Sequence, residues 1–515
     1  MAFLDFIVDW VNNPTSERSL ILFGLAGTGK SSIAHEIACR FDEMRRLTSS
    51  FIFVRKVQSK TEAYHLFTNL ARDLADRYPL FKTTLGRVVK DDTSLRLATR
   101  DYGTLFQRLI LEPLKDLHIV GPILVVIDAL DESGDTTGED GLHRFLAKNL
   151  SELPSNFRVL ITSRLEGAIW SAFHAAKSVV VKHMNDHELG ATTRSDILAF
   201  LRNKLPSDDF EQYGEALVRR AEGLFQWAAV ACEYVQEPKP VRSRKGRIEH
   251  LLTSAADQHG QDLLNELYKR VLEDYFTDEE ARDLFRSVVG QLLAAFEPLS
   301  IRSLTTLRRH ASSGDNLGDN DSDSVVETLR YLGSLLSNVT SSDDTLPIVP
   351  LHTSFRDFVT KKGQNSMVFT KKKMGNGKSN AFYVDLRVAH RQLAHSCLGL
   401  VLGDDLRFNI CKLESSYLAN KDVEDLEERI VEHLPPALSY ACRFWDDHLR
   451  HLDFETDLFV KLQTFFEKKF LFWLEALSLT SDMRLASPAL LSLSEWSASG
   501  QGVSIAVDSM KRANN

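Results

Sequence analysis

The chain has 515 residues, 43% of them hydrophobic and 26% charged, so it is long enough to fold into several domains. Its formal net charge of -9 provides no overall basic field, and we expect no nucleic-acid partner. The five cysteines form no Cys-x-x-Cys pair, which argues against a disulfide framework and favours a reducing, cytoplasmic location. The first residues, MAFLDFIVDW, are apolar but acidic, and no apolar run reaches the length of a membrane span.

Strands and helices alternate in the first part of the chain. Apolar runs predict strands, and helical periodicity predicts helices between them. This alternation is typical of a parallel sheet that is covered on both faces. The predicted strands are 20–23, 51–54, 123–127, 157–162 and 178–181, and the predicted helices are 30–41, around 61–77 and around 101–118.

The strand signal ends near residue 190, and the remainder is predicted to be helical. Apolar residues recur at helical spacing over 211–236, short helices are predicted over 278–360, and an aromatic-rich helical region covers 385–480. Two polar stretches interrupt this region, an acidic one at 312–324 and a lysine-rich one at 361–380. We interpret the first as a surface loop and the second as an interdomain linker.

One glycine-rich segment carries the strongest functional signal. Residues 24–31, GLAGTGKS, match the pattern G-x-x-x-x-G-K-[ST] between a predicted strand and a predicted helix. Glycines let the backbone bend so that N–H groups converge on phosphates at a helix N-terminus. Lysine supplies a point charge and serine a ligand for Mg²⁺. The predicted nucleotide-binding residues are Gly24, Ala26, Gly27, Thr28, Gly29, Lys30, Ser31 and Ser32.

Acidic residues follow a buried strand about a hundred residues later, in ILVVIDALDES. Asp128 ends the strand and is predicted, with Ser31, to hold Mg²⁺. Asp131 and Glu132 come next, and either one could orient the water that attacks the γ-phosphate. The sequence does not decide between them.

A further buried strand, VLITSR, ends in Arg164. We expect this guanidinium to contact the γ-phosphate and to report its hydrolysis. The predicted catalytic residues are therefore Lys30, Asp131, Glu132 and Arg164.

These motifs, in their order and spacing along the chain, resemble those of fungal NACHT-type signal-transducing NTPases. That family is related to nephrocystin-like P-loop domains. The resemblance covers about residues 5 to 475. It rests on GLAGTGKS, VVIDALDE, LITSR, AEGLFQWAAVACEYV (221–235) and LHTSFRDFV (351–359).

The resemblance implies a conformational switch. Such proteins hold ADP between the P-loop, helical and winged-helix domains, and exchange for ATP lets them self-associate. By similarity, the Arg164 strand should lie between the P-loop strand and the Asp128 strand. His352 matches a winged-helix histidine that contacts the ADP β-phosphate, whereas a packed histidine at a strand end is the alternative. Ala129 occupies a position that is glycine in many relatives, and we expect this change to be harmless.

The predicted organisation follows from the resemblance and the composition. Relatives of this kind usually carry an N-terminal effector domain and C-terminal WD repeats, and we expect neither here. The predicted parts are a linker (1–18), a P-loop NTPase domain with a five-stranded parallel sheet (19–185), a helical domain (186–276), a winged-helix-like domain (277–362), a basic linker (363–384), a helical domain (385–480) and a flexible tail (481–515).

We expect a Mg²⁺-dependent nucleotide switch with slow ATP hydrolysis. GTP remains an alternative, although the guanine-specific N-K-x-D pattern is absent because residues 420–423 are NKDV. A scaffold that binds ADP without significant hydrolysis, or a truncated regulator, is the second hypothesis. The expected partners are a nucleotide and, in the triphosphate state, an unknown protein or a second copy of the chain. The signalling pathway, of innate-immunity type by resemblance, is not encoded in these motifs.

Overall fold

The computed structural model describes residues 2–54, 63–91, 101–115, 117, 119–134, 141–176, 178–184, 187–237, 242–253, 260–310, 320–361, 380–415 and 417–499. The chain divides into two compact units, Met1–Leu267 and Tyr268–Asn515.

The first unit is built on a five-stranded parallel sheet with the order β2-β3-β4-β1-β5. The sheet and the predicted central position of the strand that leads to Arg164 are both confirmed. Runs of apolar residues form the three central strands, which are buried along their whole length. The strands are β1 (Ser19–Phe23), β2 (Leu47–Ile52), β3 (Ile123–Asp128), β4 (Phe157–Ser163) and β5 (Val179–His183).

The second strand differs from its prediction over 51–54. It begins earlier, at Leu47, and ends at Ile52. Thr48 and Ser49 are buried in it, and the Ser49 hydroxyl donates to Asp73 at 2.6 Å. These buried polar residues, of which Ser49 is hydrogen-bonded inside the fold, concealed the strand from a search for apolar runs.

Helices cover both faces of this sheet and continue beyond it. The helical segment from Tyr102 to Leu114 is continuous, with a wider turn over Phe106–Leu111. The helices are α1 (Ala2–Asn12), α2 (Lys30–Glu43), α3 (His65–Arg77), α4 (Pro79–Asp91), α5 (Tyr102–Leu114), α6 (Leu142–Asn149), α7 (Gly167–Ala175), α8 (His187–Lys204), α9 (Ser207–Ala221), α10 (Phe225–Gln236), α11 (Arg244–Leu252) and α12 (Gln261–Tyr275).

The predicted N-terminal linker contains a packed helix. In α1, Ile7 and Val11 are fully buried and Trp10 is nearly so. They join α2 and one face of β1, β3 and β4 in one hydrophobic cluster, and the opposite face packs against α3 to α7. The Trp10 indole N–H donates to the Glu17 carbonyl at 2.9 Å. The segment is thus part of the core of the first unit.

The second unit is helical in its described residues, as predicted. Two isolated antiparallel bridges, Ser300 to Pro347 and Leu336 to Pro350, precede α16. The winged-helix assignment of this region stays a prediction. The helices are α13 (Glu279–Ala294), α14 (Ile301–Arg309), α15 (Asn320–Arg330), α16 (Thr353–Thr360), α17 (Leu386–Leu402), α18 (Leu426–His433), α19 (Pro436–Leu449), α20 (Thr456–Lys468), α21 (Phe470–Leu479) and α22 (Ala486–Ser499).

The segment predicted as a flexible tail contains α22, whose Trp496 is 6% exposed and donates to the Leu452 carbonyl at 3.1 Å. Most of the lysine-rich stretch (362–379) and of the acidic loop (312–319) lies outside the described residues, and the last residues of the predicted loop, 320–324, are helical in α15. No helix of the described residues is both long and apolar enough to cross a membrane. All five cysteines are described, and all are free thiols.

Candidate functional site

The glycine-rich segment lies where the sequence placed it, between β1 and α2. Gly27 and Gly29 have φ angles of +81° and +92°, which L side chains rarely adopt. Gly29 is the N-cap of α2, and no side chain caps the helix there. The first N–H groups of α2 are therefore turned toward the loop, as in sites that bind phosphate.

Glycine is also required here by space. A Cβ atom on Gly24 would lie 2.7 Å from Met184 Cγ, and one on Gly27 would lie 2.6 Å from Gln226 Cβ. The Gln226 backbone N–H, in the first turn of α10, donates to the Gly27 carbonyl at 3.0 Å. The loop is thus held by the helical part of the first unit as well as by the sheet.

Lys30 is 9% exposed and folds back onto the loop. Its ammonium group donates to the carbonyls of Gly24 and Leu25, each at 2.9 Å. Burial lowers the pKa of Lys30 to about 8, and Asp131 is the strongest of the nearby charges that oppose this shift. The next residues, Ser31 and Ser32, are exposed at the start of α2.

Asp128 ends β3 and is 4% exposed. One of its carboxylate oxygens accepts a hydrogen bond from the Thr162 hydroxyl on the neighbouring strand β4. The same hydroxyl accepts from the Ala129 backbone N–H at 3.0 Å. Ala129 has φ +57°, in the left-handed region that a residue with a Cβ adopts only with backbone strain.

Two acids and one arginine meet at the carboxyl ends of β3 and β4. Asp131 Oδ1 accepts from the Arg164 backbone N–H at 2.9 Å, and Asp131 Oδ2 forms an ion pair with Arg164 Nε at 3.1 Å. Glu132 lies farther away, with 3.6 Å between its Oε1 and Arg164 Nη2. The side chains of both acids are at most 7% exposed, and that of Arg164 is 18% exposed. The structure thus brings the three predicted residues together.

A cavity of about 370 Å³ opens beside the loop within the first unit. Its volume is in the range of small-molecule sites. Its lining includes charged side chains from α8 and α9 as well as the apolar Met184 and Val218. The lining residues are Thr28, Met184, Thr193, Arg194, Val218, Arg219, Glu222 and Gly223.

His352 belongs to the second unit and is the N-cap of α16. Its Nδ1 accepts from the Ser354 backbone N–H at 3.1 Å and lies 2.6 Å from the Ser354 hydroxyl oxygen. That hydroxyl is 2.7 Å from the hydroxyl of Tyr268. His352 therefore has a structural task as a helix cap, and its contact with a nucleotide stays a prediction.

Two contributors to the site are not recognisable from the sequence motifs. Thr162 is hidden inside a buried strand, and only the strand order shows that it faces Asp128. Gln226 reaches the loop from a helix about 200 residues later in the chain. Both residues lie in segments that carry the family resemblance, LITSR and AEGLFQWAAVACEYV, but the resemblance implies no role for either residue.

The residues present fit a nucleotide with Mg²⁺. An uncapped helix N-terminus, glycines with positive φ and a buried lysine suit a polyphosphate. A serine hydroxyl and one carboxylate suit Mg²⁺, which retains water ligands when the protein supplies few. Among the described residues, no group of three or more His, Cys, Asp or Glu side chains is placed to hold a metal on its own.

Comparison with known proteins agrees with this geometry. Residues 5–164 match the family model described as Nephrocystin 3, N-terminal. The vegetative incompatibility protein HET-E-1 of Podospora anserina is 27% identical over 271 residues, which is 50% of this chain and 18% of that protein. The chain thus spans less than a fifth of this curated relative.

Solved structures with a similar fold are more distant. A STAND protein with a tetratricopeptide repeat sensor from Pyrococcus horikoshii aligns with 100% of this chain and 64% of its own, at 15% identity and a TM-score of 0.36. The Aeropyrum pernix ORC1 protein, solved in complex with DNA, aligns over 69% of this chain and 90% of its own, at 14% identity and a TM-score of 0.31. Likeness at this level carries no argument about function.

The sheet order, the loop geometry and the family match all concern the same part of the chain. They support the resemblance to NACHT-type and nephrocystin-like NTPases stated from the motifs. The first unit therefore has the fold of a P-loop NTPase, and its residues 5–164 are similar to the N-terminal region of nephrocystin 3.

Proposed function

We propose that the chain is a Mg²⁺-dependent nucleoside-triphosphate switch of the NACHT type. The observation that carries the proposal is one arrangement: a glycine loop at the start of α2, with buried Lys30 beside it and the carboxylates of Asp128 and Asp131 at the neighbouring strand ends. The match of residues 5–164 to a P-loop family supports it.

Each loop residue has a task in this proposal. Backbone N–H groups of Gly27 and Gly29 and the start of α2 bind the phosphates, and Lys30 moves its ammonium group from the loop carbonyls to the β- and γ-phosphates. Ser31 and Asp128 would hold Mg²⁺. When bound there, the ion would supply positive charge to offset the charge that develops on the phosphate oxygens.

The acids and Arg164 act at the γ-phosphate. One carboxylate orients the attacking water, and the guanidinium binds the phosphate oxygens and registers their loss. Because Arg164 is ion-paired with Asp131 in the structure, γ-phosphate binding has to compete for this guanidinium. We therefore propose slow hydrolysis, with the nucleotide used to bias conformation rather than to drive turnover.

The nucleoside part is proposed to enter the cavity beside Thr28. Helices α8 and α9 line it, so the base would rest on the helical part of the first unit. Gln226 also bonds to the loop from α10. Nucleotide exchange would thus change the packing of the helices that follow the sheet. Their rearrangement would expose the surface that binds a partner protein or a second copy of the chain. We favour ATP and ADP over GTP.

A second candidate is an ADP-binding scaffold without significant hydrolysis. The ion pairs of Arg164 with both acids favour it, because they occupy the residues that hydrolysis needs. Tight ADP binding without phosphate release would distinguish this scaffold from the switch.

The test is equilibrium binding of ATP, ADP and GTP with Mg²⁺ or with EDTA. Lys30→Ala should weaken binding about 10- to 100-fold, because a charged donor to phosphate is lost. Lys148→Ala, at an exposed position of α6, is the matched control and should bind as the wild type does. A folded wild-type protein that binds none of the three nucleotides would contradict the proposal.

A further inference from the structure

A groove of about 480 Å³ is lined by α6 and α7 of the first unit. Both helices pack on the face of the sheet opposite to α2, so the groove is separate from the glycine loop. Its α7 wall consists of Ala168, Ser171, Ala172 and Ala175, which recur every three or four residues along one side of that helix. Because these side chains are short, another helix can approach α7 closely.

The α6 wall of the groove is basic. Arg144 and Lys148 lie one turn apart on α6 and line the groove. Both are exposed, and neither forms an ion pair or a side-chain hydrogen bond with a residue that the structure describes. A wall of small residues beside two such cations suits an acidic helix that carries a small apolar side chain.

Helix α18 of the second unit has a surface of this kind. Val431 is 80% exposed, and Glu427 and Glu428 lie one turn before it on the same side of the helix. Both glutamates are exposed, and neither is paired with a cation within the described part of the chain. The neighbouring Arg429 is paired with Asp425 at 2.8 Å instead. The exposed side of α18 is therefore acidic around one apolar residue.

The two surfaces also match in length and in charge. The small residues of α7, from Ala168 to Ala175, span about 10 Å, and the eight residues of α18 span about 12 Å. Opposite charges on facing surfaces steer two proteins together and fix how they dock. Because the groove and the helix are different surfaces, a contact between two copies would be head to tail.

We propose that α18 of a second copy of the chain docks into the groove between α6 and α7. Val431 packs on the alanines, and the glutamates of α18 lie beside the cations of α6. Both surfaces are exposed in the structure as it stands, so this contact does not rest on the proposed nucleotide switch. One short helix buries little area, so we expect weak, transient association.

The test is sedimentation velocity in EDTA and low salt, at protein concentrations up to about 500 µM. Arg144→Glu alters the groove, and Glu428→Arg alters the helix. Each should weaken association at least about 10-fold, because repulsion replaces attraction. The matched controls, Lys90→Glu on α4 and Glu467→Arg on α20, make the same changes of charge at other exposed positions and should associate as the wild type does.

A mixture of the two variants tests the head-to-tail arrangement. Arg144→Glu keeps the native α18 and Glu428→Arg keeps the native groove, so a 1:1 mixture retains one native contact per pair. Each variant alone should be monomeric, and the mixture should form pairs. Docking of α18 within its own chain would give no such recovery.

Three results would overturn the inference. They are a wild-type protein that stays monomeric up to the highest concentration, charge-reversal variants that associate as their controls do, and a mixture that stays monomeric. Because association is measured without nucleotide, failure of the proposed function is a separate result, in which the wild type binds no nucleotide.

Discussion

The hydroxyl of Thr162 connects two strands at the proposed metal site, because it donates to the carboxylate of Asp128. It also accepts from the backbone N–H of Ala129 at 3.0 Å. Thr162 is 1% exposed, so water does not compete for either hydrogen bond in the folded protein. The carboxylate that would hold Mg²⁺ is thus oriented by a residue that touches neither metal nor nucleotide.

Thr162→Val should therefore weaken Mg²⁺ binding. Loss of an outer hydrogen bond to a metal ligand typically costs about 10- to 100-fold in metal affinity. We expect a shift of that size in the Mg²⁺ concentration that gives half-maximal nucleotide binding, with binding in EDTA unchanged. Thr162→Ser keeps the hydroxyl and should behave as the wild type. An unchanged Mg²⁺ dependence in Thr162→Val would show that Thr162 does not orient the metal ligand.

Replacement of Ala129 by glycine should stabilise the first unit. A residue with a Cβ at φ +57° is strained by about 1 kcal/mol. Allowing for the entropy of glycine in the unfolded chain, we expect the free energy of unfolding to rise by about 0.5 kcal/mol. The same substitution at Ala216, inside α9, should lower it by about 1 kcal/mol. Urea titrations of both variants check the opposite signs.

Nucleotide binding should weaken above pH 8. The pKa of Lys30 is lowered to about 8 because the group is buried, so at higher pH the nucleotide-free protein holds a neutral amine. A bound polyphosphate favours the charged form, so binding at pH 8.5 should take up a proton. Calorimetry in two buffers with different heats of ionisation measures this uptake. Binding without proton uptake, equally tight at pH 7 and 9.5, would contradict the assignment of Lys30 to the phosphates.

Helix α1 should contribute to the stability of the first unit rather than act as a linker. Ile7 is fully buried against the sheet. Ile7→Ala should lower the free energy of unfolding by about 2–5 kcal/mol, since truncation leaves a cavity in a packed core. Asp5→Ala, at an exposed position of the same helix, should change it by no more than about 0.5 kcal/mol. If Ile7→Ala changes the free energy of unfolding as little as Asp5→Ala does, the helix does not pack as described.

A buried histidine network joins α17 and α19 in the second unit. Nδ1 of His390 lies 2.9 Å from Nδ1 of His448, and Nε2 of His448 lies 2.9 Å from the Tyr440 hydroxyl. His451 stacks on His390 with 3.9 Å between ring centroids. His448 is fully buried, although it directly follows two aspartates in the sequence.

This network should make the protein sensitive to mild acid. Burial lowers the pKa of His390 to about 3 and that of His448 well below its ordinary value. In the unfolded chain these histidines take up protons below about pH 6.5, whereas in the folded protein they stay neutral. The free energy of unfolding is therefore highest above that pH and decreases as the pH falls. From pH 6.5 to 5 the loss is about 2 kcal/mol for His390. Urea titrations should show that His390→Gln removes this part of the pH dependence.

The sequence predicted the places of the glycine-rich loop and of the acidic strand end better than it predicted the packing around them. The motifs GLAGTGKS and VVIDALDE are recognised from residues close together in the sequence. The positions of Lys30, Asp128, Asp131 and Glu132 relative to the strands could therefore be predicted without a structure. Thr162 and Gln226 could not, because their roles depend on strand order and on a helix packed from elsewhere in the chain. Helix α1 lies in the segment predicted as a linker; its Asp5 and Asp9 are exposed, and only the structure shows that Ile7 and Trp10 pack against the sheet.

The most direct test of the account is to denature freshly purified protein and to identify the released nucleotide by chromatography, beside the Lys30→Ala variant. The account predicts a near-stoichiometric ADP or ATP peak from the wild type, or stoichiometric uptake of ATP with Mg²⁺ if the protein is purified empty, and neither from the variant. A folded wild-type protein that releases no nucleotide and takes up neither ATP nor GTP would contradict it.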